Sequence, residues 1–440
     1  MPLPDLIEIV PIAHPLQAVV SIPGSKSITN RALILAALAQ GRTRLQGALW
    51  SEDTQVMVDC LQRLGFQIEV LPDAEEPCNR VILVEGRGGL VPNGGTPEQP
   101  LELFVGNAGT AARFLSAFVC LGSGVYRLSG VPRMHQRPQA ALFAALRELG
   151  YVLDTPNDHL PVIIHGQGSH HPGTCHVRID ESSQFASALL LSAGQAGWRV
   201  TIDARGADAE EAPYIVMTDR LISTFPKNGG VFQIEPDASS GSYFWAAGWL
   251  LARSASPVHP TRPWPVEVRN WPVSGWQIDA EFPKFLPLPN TVSRERHLGD
   301  SIMTAILLAA CSNATAIGGP LEFHDLGRLR VQECERVVAL RTELIKCGAR
   351  VVETGDTLRI YPSTLHGAEI ETYEDHRMAM CFATLGLKIG GVRLRNPICV
   401  RKTFPNFFQK LAEPPPRGLG ATILNPATGQ RIPVHDLFAG

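Results

Sequence analysis

One pairing of elements occurs six times in the sequence, and this recurrence constrains the fold more than any other feature. Each copy has a helix of small apolar residues that follows a Ser, Thr, Asp or Gly start, and a short strand follows the helix. The starts lie roughly 55 to 80 residues apart, at or beyond the spacing of known structural repeats. The six copies are SITNRALILAALAQGRTRLQGAL from Ser27, GTAARFLSAFVCLGSGVYRLSGV from Gly109, SQFASALLLSAGQAGWRVTIDA from Ser183, SSGSYFWAAGWLLA from Ser239, DSIMTAILLAACSNATAIGG from Asp300 and DHRMAMCFATLGLKIGGVRLRN from Asp375.

Several copies continue into a second helix and two further strands. The segments TQVMVDCLQRLGF, AALFAALRELGY and VVALRTELIKCGA have the apolar spacing of a helix with one buried face, and strand-like sequence follows each. The complete unit is therefore predicted to run helix, strand, helix, strand, strand. Because the first helix of each unit is apolar on all sides, we expect it to be buried inside an outer layer of sheets, in an α/β fold. A generic α/β protein with alternating elements is the alternative.

One stretch departs from the pattern. Residues 257–289 contain eight prolines where a second helix is due, and proline at this density excludes a continuous helix. We expect this stretch to be extended and ordered by its tryptophans.

The bulk properties exclude several classes of function. With 440 residues, the chain is too long for one ordinary core, so two domains or a large repeat assembly are expected. A formal net charge of -3 gives no field suited to nucleic acid or to an anionic membrane, so an anionic ligand must be held by local Lys and Arg clusters. The nine cysteines are scattered without zinc-site or redox spacing, so they indicate neither a zinc site nor a redox cofactor, and we expect no metal. The sequence shows no signal peptide, and its longest apolar runs are about half the ~20 residues that a bilayer needs, which predicts a cytoplasmic protein.

Basic and hydroxyl residues gather at the predicted helix starts, where unpaired N–H groups and the helix dipole favour anions. The groups are Ser25-Lys26-Ser27 with Arg31; Asn107, Gly109 and Thr110 with Arg137; Ser182-Ser183-Gln184; Asp300 with Arg330, Glu333 and Arg336; and Asp375-His376-Arg377 with Lys402. If these starts converge, they supply at least five cations and two carboxylates. Two phosphate-bearing substrates and a proton transfer need such a set.

Each group also has a simpler interpretation. GSKS lacks the adjacent Gly-Lys of a nucleotide-binding P-loop. Ser182-Ser183-Gln184 is consistent with helix capping alone. Arg330, Glu333 and Arg336 have helical spacing and could form only a surface ion-pair ladder. His376 has no second histidine or carboxylate at a metal-ligand spacing.

In combination, these residues resemble the EPSP synthase (3-phosphoshikimate 1-carboxyvinyltransferase) family over roughly residues 8 to 411. The motifs that carry the resemblance occur in the family's order: PGSKS-x-x-x-R, GNAGTA-x-R, R-M-x-x-R-P, SSQF, D-A-S-S-x-S-Y-F, L-R-V-x-E-x-x-R, DHRMAM and KTFP-x-F. The resemblance implies a two-domain inside-out α/β fold with three units per domain. One domain would comprise residues 1–24 and 236–440 and the other residues 25–235, with the active site in the cleft that closes between them.

The resemblance also implies roles for individual residues. It places phosphoenolpyruvate against Lys26, Asn107, Gly109, Arg137, Arg336, Arg377 and Lys402. It places shikimate 3-phosphate against Ser27, Arg31, Ser182, Ser183, Gln184, Tyr214, Asp300, Arg328 and Gln332. The implied catalytic residues are Asp300, near the attacking 5-hydroxyl, Glu333, near the phosphoenolpyruvate methylene, and Lys26. The implied enzyme is a transferase of the shikimate pathway of aromatic amino acid biosynthesis, with two small-molecule substrates, no nucleic-acid or membrane partner, and a monomeric chain.

The sequence departs from the family's pattern on the acceptor side. Gln332 replaces a lysine, Arg328 replaces an asparagine, Gly299 replaces a proline, and Glu211 replaces a serine of the acceptor-phosphate loop. A glutamine brings no charge, and a glutamate repels a phosphate. Three hypotheses follow: an EPSP synthase with local compensation, an enolpyruvyl transferase for another acceptor alcohol, or a non-catalytic ligand-binding relative.

Overall fold

The computed structural model describes residues 3–203, 212–252, 264–311 and 319–440. Its helices are α1 (Lys26–Leu38), α2 (Glu52–Arg63), α3 (Gly109–Phe118), α4 (Pro132–His135), α5 (Ala140–Glu148), α6 (Ser183–Ala196), α7 (Ala212–Thr224), α8 (Ala238–Leu251), α9 (Ile302–Ala309), α10 (Arg336–Lys346), α11 (His376–Gly386) and α12 (Phe407–Ala412). Its strands are β1 (Leu6–Val10), β2 (Ala18–Val20), β3 (Gln40–Leu49), β4 (Ile68–Pro72), β5 (Asn79–Arg87), β6 (Leu101–Phe104), β7 (Val125–Ser129), β8 (Val152–Asp154), β9 (Val162–His165), β10 (Gly173–Arg178), β11 (Trp198–Asp203), β12 (Gly230–Gln233), β13 (Val266–Val268), β14 (Thr291–Ser293), β15 (Leu321–His324), β16 (Arg350–Thr354), β17 (Thr357–Tyr361), β18 (Glu369–Ile370), β19 (Val392–Arg395), β20 (Thr422–Asn425) and β21 (Gln430–Arg431).

The chain divides into two compact units. One is continuous, Gly24–Glu235, and the other combines Met1–Pro23 with Pro236–Gly440. The second unit is thus built from both ends of the chain.

The same four-stranded sheet occurs three times. Two of these sheets, β12-β3-β5-β4 and β6-β7-β9-β8, belong to the continuous unit, and the third, β14-β15-β17-β16, belongs to the other. In each sheet the first two strands are parallel, and the remaining two add in antiparallel order. The predicted order of helix, strand, helix, strand, strand is found in α1-β3-α2-β4-β5, in α9-β15-α10-β16-β17 and in α11-β19-α12-β20-β21. The predicted repeat and the α/β class are confirmed.

The two chain ends meet in the five-stranded sheet β18-β19-β1-β20-β21. The N-terminal strand β1 pairs antiparallel with β19 on one side and with β20 on the other. Leu437 and Ala439 are buried as well. Strands β20 and β21, from the C-terminal part of the sequence, thus complete this sheet.

The first helix of each repeat is buried, as expected from its apolar surface. All residues of α3, α9 and α11 are buried, and α1 is buried from Ile28 to Leu38. The small side chains leave no polar face, so these helices form the interior while the sheets cover them. No helix of the described ranges has the length and apolar character that crossing a bilayer requires.

The proline-rich stretch is described from residue 264 onward, and its earlier residues lie outside the described ranges. Its tryptophans do pack: Trp264 and Trp271 each make edge contacts with Trp245 of α8, at 5.6 Å between ring centroids. It is not extended throughout, however, because Ile278–Phe285 forms 3₁₀ turns that contain Pro283. Short i to i+3 turns tolerate a missing N–H group better than a long helix does.

Candidate active site

The buried helices begin at the predicted site residues. Lys26 and Gly109 are the first residues of α1 and α3, and Ser182 and Asp375 cap α6 and α11 with their side chains. In the fourth repeated copy, helix α8 begins earlier than predicted, at Ala238. Asp237 caps this helix by accepting a hydrogen bond from the N–H of Ser240 at 2.7 Å. Each start directs N–H groups and the positive end of a helix dipole toward its polar side chains.

Asp300 lies just before α9 and is surrounded by arginines. Its Oδ2 is 2.9 Å from Nη2 of Arg377, and its Oδ1 is 3.4 Å from Nη2 of Arg294 and 3.9 Å from Nη1 of Arg336. Burial alone would raise the pKa of Asp300, but the guanidinium groups of Arg377, Arg336 and Arg294 outweigh burial and hold the pKa below its ordinary value. Asp300 is therefore a carboxylate at neutral pH.

Arg336 connects this carboxylate to two others. Its Nε and Nη2 bind the carboxylate of Asp375 in a fork, at 2.7 and 3.2 Å, and Nη2 also donates to Glu333 at 2.8 Å. Its Nη1 donates to Oε1 of Gln332 at 2.6 Å. Only 1% of the Arg336 side chain is exposed, so its orientation is set by these acceptors. Burial would lower the pKa of Arg336, and the three carboxylates raise it above its ordinary value.

Lys402 completes the cluster from a 3₁₀ turn that follows β19. Its Nζ lies 3.5 Å from Oε1 of Glu333. The cluster of one unit thus holds three of the predicted phosphoenolpyruvate cations and both predicted carboxylates: Arg336, Arg377, Lys402, Asp300 and Glu333.

Arg330 does not belong to this cluster. Residues 327–331 form 3₁₀ turns, and α10 begins only at Arg336, so the predicted helical spacing of residues 330, 333 and 336 is wrong. Arg330 pairs with Glu335, with Glu353 at 2.8 Å and with Asp356 at 2.9 Å. Because Glu335 caps α10, the helix cannot extend back to Arg330 in this arrangement. Arg330 thus belongs to a separate ion-pair network, whereas Glu333 and Arg336 pair with each other in a buried cluster and not in a surface ladder.

The continuous unit supplies a second group of predicted residues. Nη1 of Arg137 donates to the backbone oxygen of Asn107 at 3.3 Å. A Cβ atom built on Gly109 would lie 2.7 Å from both Nη1 and Nη2 of Arg137 and 2.5 Å from Nη1 of Arg113. Asn107, Gly109 and Arg137 therefore meet at the start of α3, with room for a glycine alone.

Lys26 is held by a carboxylate that the sequence interpretation missed. Its Nζ lies 3.1 Å from Oδ2 of Asp53, in the first turn of α2, and both side chains are largely buried. This pairing fixes the ammonium group at the start of α1.

The predicted acceptor-binding residues of this unit form hydrogen bonds with other residues of the protein. Arg31 is only 2% exposed; it donates to Thr218 at 2.7 Å, to Ser187 at 3.1 Å and to the backbone oxygen of Ser27 at 2.9 Å. The Ser182 side chain accepts a hydrogen bond from the N–H of Gln184. This is the helix capping that the simpler interpretation of these residues predicts.

The remaining acceptor residues have varied positions. Ser183 is buried in the first turn of α6, and the half-buried Tyr214 lies in α7, where its backbone oxygen accepts from Thr218. Arg328 is half-buried in the 3₁₀ turns, and Gly299 is buried beside Asp300. Glu211 lies outside the described residues.

The sequence analysis missed three charged side chains that form ion pairs with predicted site residues. Arg294 pairs with Asp300, Asp53 with Lys26, and Asp375 with Arg336. Each is a charge whose partner lies elsewhere in the chain or on another element, so no local spacing pointed to it. Within the described ranges, no group of three or more His, Cys, Asp or Glu side chains could hold a metal ion.

The sequence model of "EPSP synthase (3-phosphoshikimate 1-carboxyvinyltransferase)" matches residues 10–256 and 291–411 of this chain. The chain belongs to the EPSP synthase family. The 3-phosphoshikimate 1-carboxyvinyltransferase of Nostoc sp. is 36% identical over 430 residues, which cover 92% of this chain and 98% of that protein. The enzyme of the same name from Opitutus terrae is 37% identical, with 94% and 98% coverage.

Solved structures agree on the fold. The EPSP synthase of Acinetobacter baumannii superimposes with a TM-score of 0.68 at 21% identity, covering 96% of this chain and 100% of that one. The enolpyruvyl transferase NikO from Streptomyces tendae gives a TM-score of 0.65 at 16% identity, with 97% and 99% coverage. The EPSP synthase match leaves out residues 257–290, which include the proline-rich stretch.

Proposed function

We propose that this chain is a 3-phosphoshikimate 1-carboxyvinyltransferase, which moves the enolpyruvyl group of phosphoenolpyruvate to the 5-hydroxyl of shikimate 3-phosphate and releases phosphate. Membership of the EPSP synthase family is the first support. The observation that carries the proposal is the cluster around Asp300, in which two carboxylates and three predicted phosphoenolpyruvate cations lie within ion-pair distances of one another.

The proposed phosphoenolpyruvate site is rich in cations. Arg336, Arg377, Lys402, Lys26 and Arg137 would each bind this ligand. Guanidinium groups suit the carboxylate because they bind it in a fork, and ammonium groups suit the phosphate as point charges. Gly109 would leave room for the ligand beside Arg137, where a Cβ would press on its guanidinium.

The proposed acceptor site holds shikimate 3-phosphate by hydroxyl and amide groups at two helix starts. Ser182, Ser183 and Gln184 lie at the N-terminus of α6, where N–H groups and the dipole favour a phosphate. Oε1 of Gln184 is buried and has no hydrogen-bond partner among the described residues, so it is available to a hydroxyl of the acceptor. Ser27, Arg31, Tyr214, Arg328 and Gln332 complete the proposed set.

The proposed chemistry divides the proton transfers between two carboxyl groups. Asp300, kept ionised by its arginines, accepts the proton of the 5-hydroxyl while the hydroxyl oxygen bonds to C2 of phosphoenolpyruvate. Glu333 donates a proton to C3. The resulting tetrahedral intermediate loses phosphate as the bond between C2 and the phosphate oxygen breaks, and the departing phosphate takes the proton that Asp300 had accepted. Glu333 takes back one methyl proton to form the enol ether, so both carboxyl groups return to their starting states. Lys26, Lys402 and the arginines stabilise the negative charge on the departing phosphate.

Phosphate release from the two substrates tests the activity. Purified protein should release phosphate only when phosphoenolpyruvate and shikimate 3-phosphate are both present. Shikimate without the phosphate is the control for acceptor recognition. Tight binding of phosphoenolpyruvate without release would refute this acceptor and favour another alcohol.

Paired lysine variants test the shared site. Lys26→Gln and Lys402→Gln should each raise KM for phosphoenolpyruvate by about tenfold or more, because each removes a charge-assisted bond to the same ligand. Lys388→Gln is the matched control, since Lys388 is exposed after α11. An unchanged KM in either site variant would contradict the assignment of that lysine to the phosphoenolpyruvate site.

Gln332 tests the acceptor-side departures. Gln332→Lys would lose the hydrogen bond from Arg336 but restore the charge typical of the family, so we expect turnover of shikimate 3-phosphate to be retained or raised. A large loss would indicate that the glutamine serves a different acceptor. A monomeric state and a cytoplasmic location remain predictions from the sequence, and the mass of the purified protein in solution tests the former.

A further inference from the structure

The described part of the proline-rich stretch, residues 264–289, contacts the starts of two helices of the candidate site. It lies within the region that the family match leaves out. Trp271 of this segment packs so closely on α8 that a Cβ on Gly241 would lie 2.3 Å from its ring. Nε1 of Trp271 also donates to the backbone oxygen of Ala280 at 2.9 Å, which holds the 3₁₀ turns against the helix.

Gln277 of the segment fastens the start of α8. Its Oε1 accepts from the N–H of Ala238 at 3.0 Å, and its Nε2 donates to the backbone oxygen of Pro236 at 2.9 Å. These two bonds flank Asp237, the capping residue of α8. Gln277 is buried, so water cannot readily replace either bond.

Asp279 fastens α8 and α9 together. Its Oδ2 accepts from the hydroxyl of Ser239, in the first turn of α8. Its Oδ1 accepts from both the backbone N–H of Ser301, at 3.1 Å, and the hydroxyl of Ser301, at 2.5 Å. Ser301 lies directly before α9 and directly after Asp300.

The bond to the N–H of Ser301 constrains Asp300 itself. The peptide group between residues 300 and 301 is planar and contains the Cα atom and the carbonyl group of Asp300. The direction of the Ser301 N–H therefore restricts the orientation of the Asp300 backbone. A side chain hydrogen-bonded to this group therefore limits where the Asp300 carboxylate can lie. A misplacement of about 1 Å in a reacting group can cost about 10²-fold in rate.

We infer that Gln277 and Asp279 are positioning residues, through which the 264–289 segment holds the starts of α8 and α9 and sets the location of the Asp300 carboxylate. The inference rests on the proposed function for its catalytic part. It assigns a purpose to a segment that the family match does not cover. Neither residue needs to touch a substrate.

The environment of Asp279 is unusual for a group that only packs. It is fully buried, and burial together with the nearby charge of Asp300 raises its pKa above the ordinary value. The hydroxyl bonds from Ser239 and Ser301 and the charge of Arg377 act in the opposite direction. Burial of the carboxyl group carries a desolvation cost, and the hydrogen bonds from Ser239 and Ser301 offset it.

Three variants test the inference. Asp279→Ala removes every acceptor from Ser301, and kcat should fall by about 10- to 100-fold while KM for phosphoenolpyruvate changes less than about threefold. Asp279→Asn keeps one oxygen for the Ser301 N–H, so it should recover most of the lost kcat. Glu281→Gln is the matched control, because Glu281 is exposed, belongs to the same turn and pairs only with the exposed Lys284 in the contacts seen.

A second measurement does not depend on turnover. Hydrogen exchange followed by mass spectrometry should show faster exchange around residues 299–303 in Asp279→Ala, and around residues 236–241 in Gln277→Met. Glu281→Gln should change neither region. The Gln277 variant also provides a result if Asp279→Ala does not fold.

The outcomes separate the two proposals. Unchanged exchange at both helix starts would overturn the inference, whatever the activity. Faster exchange with wild-type kcat would overturn the catalytic part and leave a purely structural role. A wild-type protein without any turnover would refute the proposed function, while the exchange measurements would still decide whether the segment holds the two helix starts.

Discussion

Replacing Gly109 with alanine should separate ligand binding from stability, because the added methyl group should weaken binding and change stability little. Its Cβ would lie 2.5 Å from Nη1 of Arg113 and 2.7 Å from both terminal nitrogens of Arg137. Ordinary contacts between such heavy atoms are about 3.5 Å or longer, so both guanidinium groups must retreat by about 1 Å. The backbone itself presents no obstacle, since Gly109 is a regular residue of α3.

The flexible partner is Arg137. Arg113 is buried, and its Nη2 donates to the backbone oxygen of Pro138 at 2.8 Å, whereas Arg137 is only half-buried and has a longer bond of 3.3 Å to Asn107. Displacement of Arg137 would weaken one charge-assisted hydrogen bond to phosphoenolpyruvate, which is worth about 1.5 to 3 kcal/mol. We therefore expect KM for phosphoenolpyruvate to rise by roughly 10- to 150-fold. Helix propensity favours alanine by up to about 1 kcal/mol and offsets the cost of displacing the buried Arg113, so Tm should change little.

The assay is steady-state phosphate release with each substrate varied in turn, together with thermal unfolding. The KM for shikimate 3-phosphate serves as an internal reference and should change little. Gly194→Ala in α6 is the matched control, because a Cβ there meets nothing within 4 Å. An unchanged KM for phosphoenolpyruvate, or an equal rise in the Gly194 variant, would refute the steric argument.

Three further variants examine the charges of the site. Arg294→Met should raise the pKa of Asp300, because it removes one of the cations that lower it, and should therefore move the acidic limb of the kcat profile to higher pH. Arg296→Met, at an exposed position, should not move it. An acidic limb that stays in place would show that Asp300 does not govern it. Asp300→Asn should lower kcat by about 10²- to 10⁴-fold with little effect on substrate binding measured by calorimetry, and weaker binding with normal turnover would contradict its role as a proton acceptor. Asp53→Asn should raise KM for phosphoenolpyruvate by about 3- to 10-fold, because Lys26 loses the partner that orients it; a normal KM would show that Lys26 is oriented by other groups.

The sequence predicted the repeated unit because its signal is redundant. Six helices without a polar face, each followed by a strand, leave few alternatives to burial inside sheets, and the confirmed sheets follow from that constraint. The 3₁₀ turns at residues 327–331 and 278–285 were missed because their residues match helical spacing or extended proline-rich sequence equally well. The turns at residues 327–331 are followed by the cap of α10, and those at residues 278–285 are held against α8 by Trp271. Local periodicity encodes neither of these interactions.

In the candidate site, the sequence predicted the residues that would contact the ligand but missed the residues that support them. Residues that would meet the ligand recur at helix starts, so the repeat itself directs attention to Lys26, Gly109 and Asp375. Residues that hold them in place need not recur, because each supports a different side chain. Asp53, on α2, orients the ammonium of Lys26, and Asp279, in a segment without a counterpart in the repeat, fastens the peptide group that follows Asp300.

The repeat also explains why equivalent positions can carry different chemistry. Every buried helix has the same positive dipole end, which favours an anion wherever the start is located. The first position of these helices is a lysine at residue 26, a glycine at residue 109, a serine at residue 183 and a histidine at residue 376. In the proposed site, the backbone would supply a uniform preference for anions, and the side chains would distinguish a phosphate, a carboxylate and a transferable proton. Substitutions at these first positions should therefore change ligand specificity more than they change the fold, whereas substitutions in the small apolar residues that follow should do the reverse.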